Sequence, residues 1–364
     1  MDEKQIVNPH ANFFQKVFFR YDVARDFVCN YLPEKLVQLL DLNTLELDRE
    51  SFVDILLSAT QSDLVFKVRR KDGKKLLIYI LFEHKSFVDR WVLFQLLGYI
   101  VRISEREREI HAVERKNKRQ ANLEQGLPER AGIEKECITV VLPVIMYHGQ
   151  KDWNVDDTLS ALYCSANSFV NYVPEFDFEL IDLSSFQDYQ ITGNVYLRVA
   201  LLVMKHYFSE QFDEIFSTIL SLLAEHLNEG ETIHFIATVT LYSSSHKLRG
   251  QKWLTSNVEN NYIKAFGEKG GNVMNSISNI WIEQGKKEGI KVGIKVGKIE
   301  ALIETIKVKF NNISKPLKTI LQSIKDEEML NNLHREAILC NNISEFQHSL
   351  ETICGKRGRT KLTH

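Results

Sequence analysis

The sequence lacks the features that would place it in several common protein classes. Its five cysteines lie far apart, with no paired-cysteine spacing, which argues against a zinc cluster; their odd number suits a reducing compartment. No apolar run approaches the length of about eighteen residues that a membrane span needs. The first residues also lack the basic-then-apolar pattern of a secretion signal. We therefore expect a cytoplasmic protein with no membrane contact.

The chain also lacks the basic excess of many nucleic-acid-binding proteins. Its formal net charge is −2, so any nucleic-acid surface must be a local patch that is offset by acids elsewhere. The hydrophobic fraction of 44% and the charged fraction of 26% are ordinary for a soluble globular protein. A length of 364 residues allows one large core and a second, smaller module.

The clearest structural signal is a predicted β-hairpin. The stretch "DLVFKVRR" alternates, "KDGK" is a turn, and "LLIYILF" is a continuous apolar run, which predicts a second strand that is buried on both faces and central in a sheet. A helix is predicted from Phe87 to about His111, followed by a mixed-charge loop that begins at "ERKNKR". Another buried strand, "CITVVLPVIMY", closes at Gly149. This order predicts an α/β core with a mixed central sheet flanked by helices.

The rest of the chain reads as amphipathic helices, apart from a glycine repeat at Gly285, Gly289, Gly293 and Gly297. The predicted organisation is a core at 1–190, a helical extension at 191–270, a glycine-repeat hinge or packing helix at 271–300, and a C-terminal helical region with a basic tail at 301–364. Four glycines in a helix would cost about 3–4 kcal/mol relative to alanine. Packing in a homo-oligomer through the C-terminal region would recover that cost, and a flexible hinge is the alternative.

Two acids and a lysine flank the predicted hairpin. Glu83 and Lys85 are two residues apart, so on a strand they share a face. Asp63 precedes the neighbouring strand, and the loop between the strands decides whether it joins them. A two-residue loop at 72–73 would put Asp63 and Glu83 on opposite faces. An odd-length loop with a bulge shifts the register by one and brings their Cβ atoms to roughly 4.5–7 Å.

Two carboxylates at that spacing can bind one Mg²⁺ or another hard divalent cation. Asp63 and Glu83 supply oxygen ligands, and the carbonyl of His84 is a natural third. Hydrolysis of a phosphodiester needs such a cation to neutralise developing charge, together with a water whose proton is drawn off. Lys85 is placed to orient or deprotonate that water, or to offset the charge of the transition state.

The helix that follows, "WVLFQLLGYIVRI", is apolar almost all round. Its exceptions, Gln95, Tyr99 and Arg102, are spaced by four and three residues, so they form a single stripe. Buried polar groups need partners. The face that carries Asp63, Glu83 and Lys85, or a phosphate bound there, would provide them.

These segments carry a specific resemblance to a known family. "QSDLVF", "YILFEHKS", "DRWVLFQLLGYIVRI" and "LPVIMYHG" resemble the Rpn family of recombination-promoting nucleases, also described as YhgA-like transposases, within the PD-(D/E)XK nuclease superfamily. The resemblance runs from about His10 to Leu183. It implies a PD-(D/E)XK nuclease-like core, DNA as the partner, and a magnesium-dependent DNA endonuclease acting in recombination or mobile-element biology.

The resemblance also implies roles for individual residues. Asp63 matches the metal-binding aspartate, Glu83 the acid of the (D/E)XK element, and Lys85 its final position, where the family often has glutamine. Gln95 and Tyr99 resemble a Q-x-x-x-Y helix that steadies the site and the nucleic-acid backbone. One departure is that His10 is followed by alanine rather than by aspartate, so a further acidic ligand from the N-terminal helix is not implied. Another is that Ser62 stands where the superfamily has proline.

Two other functions compete with the endonuclease. A catalytically inactive, nuclease-fold DNA-binding or transposition accessory protein would bind DNA in a salt-sensitive way, be indifferent to Mg²⁺, and have a register that separates Asp63 from Glu83. A phosphohydrolase acting on small substrates could use the same triad, although the sequence contains no glycine-rich phosphate loop.

Overall fold

The computed structural model describes residues 8–48, 64–72, 77–129, 131–132, 137–164, 168–246, 249, 253–254, 257–324 and 326–355, with backbone only for 77–84, 288 and 354–355. The chain divides into two compact units, Met1–Ile277 and Ser278–His364. The first combines a sheet with helices, and the described part of the second is helical. The mixed α/β class and the helical C-terminal region are therefore confirmed.

Along the chain of the first unit, helices come before, between and after the strands. Its main elements are α1 (Pro9–Phe18), α2 (Tyr21–Tyr31), α3 (Glu34–Val37), β1 (Leu40–Leu47), β2 (Leu64–Arg70), β3 (Leu77–Lys85), α4 (Val92–Glu124), β4 (Val140–Tyr147), β5 (Glu179–Asp182), α5 (Val195–His206), α6 (Phe212–Ser221), α7 (Gly230–Ser244) and α8 (Val258–Phe266).

The strands of the described residues form one five-stranded sheet in the order β1-β2-β3-β4-β5. β1, β2 and β3 pair antiparallel, whereas β3 with β4 and β4 with β5 pair parallel. The sheet is therefore mixed, and β3 is its central strand, as its continuous apolar sequence predicted. A central strand is covered on both faces, which explains why its apolar residues do not alternate with polar ones.

The register of the hairpin decides between the two loop lengths considered above. Leu64 pairs with Phe82, and Arg69 pairs with Leu77. An odd number of residues therefore lies between the paired positions. This is the register that the metal-binding interpretation requires, and the two-residue loop is wrong for the described part of the hairpin.

Helix α4 is longer than predicted. It runs from Val92 to Glu124 without a break, so the helix start at Phe87 and the loop starting at residue 114 were wrong. Asp89 lies in the turn that precedes the helix, where its Oδ1 atom accepts a hydrogen bond from the amide of Trp91 at 2.9 Å. The basic run contains no glycine or proline, and the helix ends just before Gly126, whose φ of 67° suits a left-handed residue.

A cluster of apolar side chains joins α4 to the sheet. It contains Val65 of β2, Ile145 of β4, and Val92, Leu93 and Leu96 of α4. A second set of contacts links the end of β4 to the other helices, since the Nδ1 atom of buried His148 lies 3.1 Å from the carbonyl oxygen of Met204 on α5. These contacts fix the carboxyl ends of β3 and β4, where the candidate site lies.

The second unit has its own core. It contains most of α9 (Gly270–Phe310), followed by α10 (Lys315–Ser323), α11 (Glu327–Leu339) and α12 (Ile343–Gly355). Leu302, Leu321, Leu333 and Phe346 are completely buried in its core cluster. The four repeated glycines all lie within α9, and a Cβ atom added at any of them would meet nothing within 4 Å. Among the described residues, no helix combines the length and apolar character needed to cross a bilayer.

Candidate active site

Lys85 is the last residue of the central strand and is almost completely buried. Only 7% of its surface is exposed. It pairs with Tyr147 of β4, and its carbonyl oxygen accepts a hydrogen bond from the amide of His148 at 3.1 Å. Burial of an ammonium group is costly unless it is paired and hydrogen-bonded. The partners of Lys85 therefore have to account for its burial.

Two side chains hold the ammonium group, one in the turn before α4 and one in the first turn of the helix. The Nζ atom of Lys85 donates hydrogen bonds to Asp89 Oδ2 at 2.9 Å and to Gln95 Oε1 at 2.8 Å. Partial burial raises the pKa of Asp89, but hydrogen bonds from Lys85 and from the amide of Trp91 outweigh that effect and hold this pKa below its ordinary value. Asp89 is therefore a carboxylate that bonds to the turn before α4 and pairs with Lys85.

Gln95 is itself oriented by the next turn of the helix. Its Nε2 atom donates to the hydroxyl of Tyr99 at 2.7 Å, which leaves its amide oxygen directed at Lys85. Tyr99 is 4% exposed. The structure thus brings together Lys85, Gln95 and Tyr99, three of the residues singled out in the sequence, in one chain of hydrogen bonds.

Arg102 lies at the outer end of the same stripe. Its guanidinium carbon is 5.4 Å from the centre of the Tyr99 ring, which is the range of a cation–π contact. The residue is exposed and has no described contact with Lys85. The structure therefore places Arg102 at the surface next to the site rather than within it.

A second buried ion cluster, which the sequence did not suggest, lies at the end of β1. Asp48 is 5% exposed, and its two carboxylate oxygens lie 3.1 Å from Lys67 Nζ and 3.4 Å from Arg106 Nη1. These pairs connect β1, β2 and α4. Arg106 follows Arg102 by four residues, so the polar stripe of α4 continues by one more turn.

The other predicted site residues are described only in part. The backbone of Glu83 and His84 is in β3, opposite Ile145 and Met146 of β4, and their side chains lie outside the description. Asp63 lies outside the described residues altogether. Positions 83 and 85 share one face of β3 because side chains alternate along a strand.

The metal site can be examined only at the level of the backbone. Among the described side chains, no group of three or more histidine, cysteine, aspartate or glutamate residues could hold a metal ion, and that search did not include Asp63, Glu83 or His84. The hairpin register meets the geometric condition set by the sequence, and the donors are hard oxygens suited to Mg²⁺. The register and the types of donor are those that a Mg²⁺ site at Asp63 and Glu83 would need, and the metal site itself stays a prediction.

Sequence reasoning overlooked Asp89 and Asp48. For Asp89 a local signal exists, because it stands four residues after Lys85 and aspartate is common in turns, where its side chain accepts a hydrogen bond from the amide two residues on. For Asp48 no local signal was available. It follows the last strand residue, Leu47, and its partner Arg106 is 58 positions away.

Comparison with known proteins gives a consistent result. The family described as "Putative transposase, YhgA-like" matches residues 8–234. The recombination-promoting nuclease RpnD of Escherichia coli O157:H7 is 26% identical over 209 residues, which are 54% of this chain and 67% of that protein. The recombination-promoting nuclease RpnA of Escherichia coli strain K12 is 27% identical over 207 residues, 57% of this chain and 62% of that protein.

A third relative bears a different description. The inactive recombination-promoting nuclease-like protein RpnE of Escherichia coli strain K12 is 25% identical over 244 residues, 66% of this chain and of that protein. The chain thus spans about two thirds of the length of each of these relatives. No solved structure matches the chain. Because the family match covers more than half of its length and includes every candidate site residue, the protein belongs to the YhgA-like transposase family, in which it is similar to recombination-promoting nucleases.

Proposed function

We propose that this protein is a magnesium-dependent DNA endonuclease with a PD-(D/E)XK nuclease-like core, acting in recombination or in the activity of a mobile element. The observation that carries the proposal is the buried Lys85, held at the end of the central strand by Asp89 and Gln95. Burying an ammonium in this way contributes little to stability compared with an apolar side chain. A catalytic role gives a reason for it.

The chemistry assigns a task to each residue. Mg²⁺ bound by Asp63, Glu83 and the carbonyl of His84 would neutralise charge that develops on the phosphate oxygens. Lys85 shares the strand face of Glu83, and it would orient the attacking water or stabilise the negative charge of the transition state. Gln95 keeps the ammonium in place and is itself held by Tyr99.

In this proposal Arg102 would contact the DNA backbone beside the site. It is exposed, and it stands at the outer end of the stripe that begins at Gln95. A guanidinium group suits this role because its N–H donors match the geometry of phosphate oxygens.

A catalytically inactive DNA-binding accessory protein is the second candidate. The observation that favours it is that one of the similar proteins, RpnE, is named inactive. An accessory protein would bind DNA with strong salt dependence and without any effect of Mg²⁺, since its affinity would come from phosphate contacts alone.

Plasmid cleavage distinguishes the two candidates. The purified full-length chain is incubated with supercoiled plasmid, with Mg²⁺ or with excess EDTA, and nicked and linear products are measured. We expect cleavage only with Mg²⁺, and a loss of at least about a hundredfold in Asp63→Ala, because a missing carboxylate ligand removes charge stabilisation in the transition state.

A matched control is available in the same hairpin. Asp72 forms a half-exposed ion pair with Arg70 at 2.8 Å, so Asp72→Ala removes a carboxylate of the same kind from the turn and should leave cleavage unchanged. Cleavage by Asp63→Ala at the wild-type rate, or cleavage in EDTA, would exclude the proposed metal site. DNA binding without cleavage by the wild-type chain would support the accessory protein.

A further inference from the structure

Three large aromatic side chains are exposed beside the candidate active site. Phe87 is 63% exposed, Trp91 57% and Phe94 55%. All three lie between Lys85 and Gln95 in the chain. Aromatic rings of this size stabilise a fold when they are buried, so the exposure of three of them in one short segment favours a role in binding.

A single carboxylate ties Trp91 to the buried lysine. Asp89 Oδ1 accepts a hydrogen bond from the amide of Trp91 at 2.9 Å, and Asp89 Oδ2 accepts one from Lys85 Nζ at 2.9 Å. The amide of Gln95 in turn donates to the carbonyl oxygen of Trp91 at 3.0 Å. The backbone of Trp91 is therefore fixed relative to the ammonium group that Asp89 and Gln95 hold.

The other two rings lie next to the same group of residues. Phe94 immediately precedes Gln95, and along a helix it rises about 4.5 Å from Trp91 and lies about 60° from it around the axis. The Nζ atom of Lys85 is 6.0 Å from the centre of the Phe87 ring. We call Phe87, Trp91 and Phe94 the aromatic platform.

Two exposed arginines lie beside the platform. The guanidinium carbon of Arg90 is 5.8 Å from the centre of the Trp91 ring. Arg102 folds over Gly98, one turn beyond Phe94, since a Cβ atom built on that glycine would lie 3.2 Å from Arg102 Nη2. Guanidinium groups donate to phosphate oxygens and aromatic rings stack on bases. The combination is typical of a surface that binds single-stranded nucleic acid.

Stacking on a protein side chain requires a base whose face is accessible. In a continuous duplex each base is covered by its neighbours, and proteins reach only its edges in the grooves. Taking a paired base out of the stack costs free energy, and that cost is smallest where the base is already unpaired. A platform of exposed rings therefore suits a single strand, or the unpaired part of a branched or locally melted duplex.

Protein interfaces are also enriched in exposed aromatic and arginine side chains. The position of the platform favours DNA over a protein partner. A protein seated on Trp91 and Phe94 would cover the surface beside Lys85, which a polynucleotide has to approach if it is to be cleaved there.

We propose that the aromatic platform stacks on unpaired bases next to the phosphodiester bond that is positioned at Lys85, so that the substrate class is DNA with a single-stranded segment at the cleaved bond. This inference rests on the proposed function. Trp91 and Phe94 bind neighbouring bases, and Arg90 and Arg102 bind phosphates of the same strand. The platform positions the strand and takes no part in the chemical step.

The test compares DNA strands that differ only in their bases. Binding is measured by fluorescence anisotropy with the full-length Asp63→Ala chain, so that cleavage does not interfere. The ligands are a 12-nucleotide oligothymidine strand, a strand of the same length in which every sugar is abasic, and a 24-base-pair duplex. The abasic strand keeps the phosphates and lacks the rings that would stack.

Trp91→Ala and Phe94→Ala are compared with Phe19→Ala, a control at the end of α1 whose ring is also 55% exposed. Each platform variant should weaken binding of the oligothymidine strand by about 5- to 150-fold, which is the range for the loss of one base–aromatic stacking contact. Binding of the abasic strand and of the duplex should be unchanged. Phe19→Ala should bind all three ligands like its parent, and Trp91→Phe should regain most of the affinity that Trp91→Ala loses.

Several outcomes would contradict the inference. The parent chain must not bind the abasic strand as tightly as the oligothymidine strand, and the platform variants must not weaken binding of both strands equally. A change in self-association of Trp91→Ala in analytical ultracentrifugation, without a change in binding of the oligothymidine strand, would assign the platform to a protein interface instead. Far-UV circular dichroism and thermal midpoints establish that the variants are folded.

Failure of the proposed function is seen separately, as an absence of plasmid cleavage by the wild-type chain, because the binding assay contains no cleavage step. Where the wild-type chain does cleave, it should nick supercoiled plasmid faster than the relaxed closed circle of the same sequence, since negative supercoiling favours strand separation. Trp91→Ala should narrow that difference. Equal rates of nicking on both plasmids by the wild-type chain would overturn the preference for unpaired DNA.

Discussion

The two units of this chain have cores of different kinds. In the first unit, the buried side chains of the described residues include Asp48, Lys85, Glu107 and His148 among many apolar ones. In the described part of the second unit, every buried side chain is apolar or the thiol of Cys340. An ionisable group needs specific partners to be buried, whereas apolar side chains need only a good fit.

The difference indicates a division of labour. The polar core of the first unit fixes the positions of its buried charged groups, which the proposed catalytic role of Lys85 would need, and it does so at a cost in stability. The described core of the second unit is apolar, and it serves to hold four helices together.

The largest effect is expected from removing the buried ammonium. Lys85→Met keeps the length of the side chain but removes the group that Asp89 and Gln95 hold, and we expect DNA cleavage to fall about 10²- to 10⁴-fold. Lys205→Met is the control, because Lys205 also pairs with an aspartate, Asp188, at 2.5 Å. Single-turnover plasmid cleavage is the measurement. Equal losses in both variants would assign the effect to stability.

Truncation of a core side chain in the second unit should lower the free energy of unfolding of that unit considerably and leave the first unit unchanged. Leu333 is completely buried, and Leu333→Ala should destabilise that unit by about 2–5 kcal/mol, from lost burial and a residual cavity. Differential scanning calorimetry of the full-length chain should show one transition moving to lower temperature while the other stays in place. A single transition that moves as a whole would break the distinction between the units.

Low pH should lower the stability of the first unit, because two of its histidines have lowered pKa values in the folded state. Burial, with a smaller effect of nearby His246, lowers the pKa of His10 from 6.5 to about 4, and burial, with a smaller effect of His10, lowers that of His148 to about 3. The folded state thus binds fewer protons than the unfolded state. The stability contribution is present above pH 6.5 and is lost as the pH falls towards 4 and then 3.

We expect each of the two histidines to lower the free energy of unfolding by about 3 kcal/mol between pH 7 and pH 4. His148→Asn removes one of the titrating groups, so it should flatten this pH dependence. Urea unfolding at several pH values is the measurement. The described residues of the second unit include no buried histidine. An unchanged pH profile in the variant would exclude His148 as a source.

The smallest effect concerns the glycine repeat. A methyl group at Gly289 or Gly293 would meet nothing within 4 Å, so Gly289→Ala and Gly293→Ala should each stabilise α9 by about 0.5–1 kcal/mol. Thermal unfolding and analytical ultracentrifugation are the measurements. Lower stability together with reduced self-association would mean that the glycines pack against another chain. The expected homo-oligomer through the C-terminal region stays a prediction.

The local sequence was sufficient to predict those elements whose buried residues follow a regular spacing. The continuous apolar run of β3 predicts a central strand, and the helical spacing of Phe13, Phe14, Val17 and Phe18 predicts the buried face of α1. The stripe of Gln95 and Tyr99 was visible too. In each case the pattern follows directly from the repeat of the backbone, 2 residues in a strand and 3.6 in a helix.

Tertiary structure decided everything that depends on two distant segments. The sequence allowed two registers for the hairpin, and the paired positions chose one. It showed a stripe on α4 but not that Gln95 accepts a hydrogen bond from Lys85, nor that Asp48 meets Arg106 across 58 positions. The reason is physical, since backbone periodicity is local, whereas the partner of a buried charge is set by which segments the fold brings within about 3 Å.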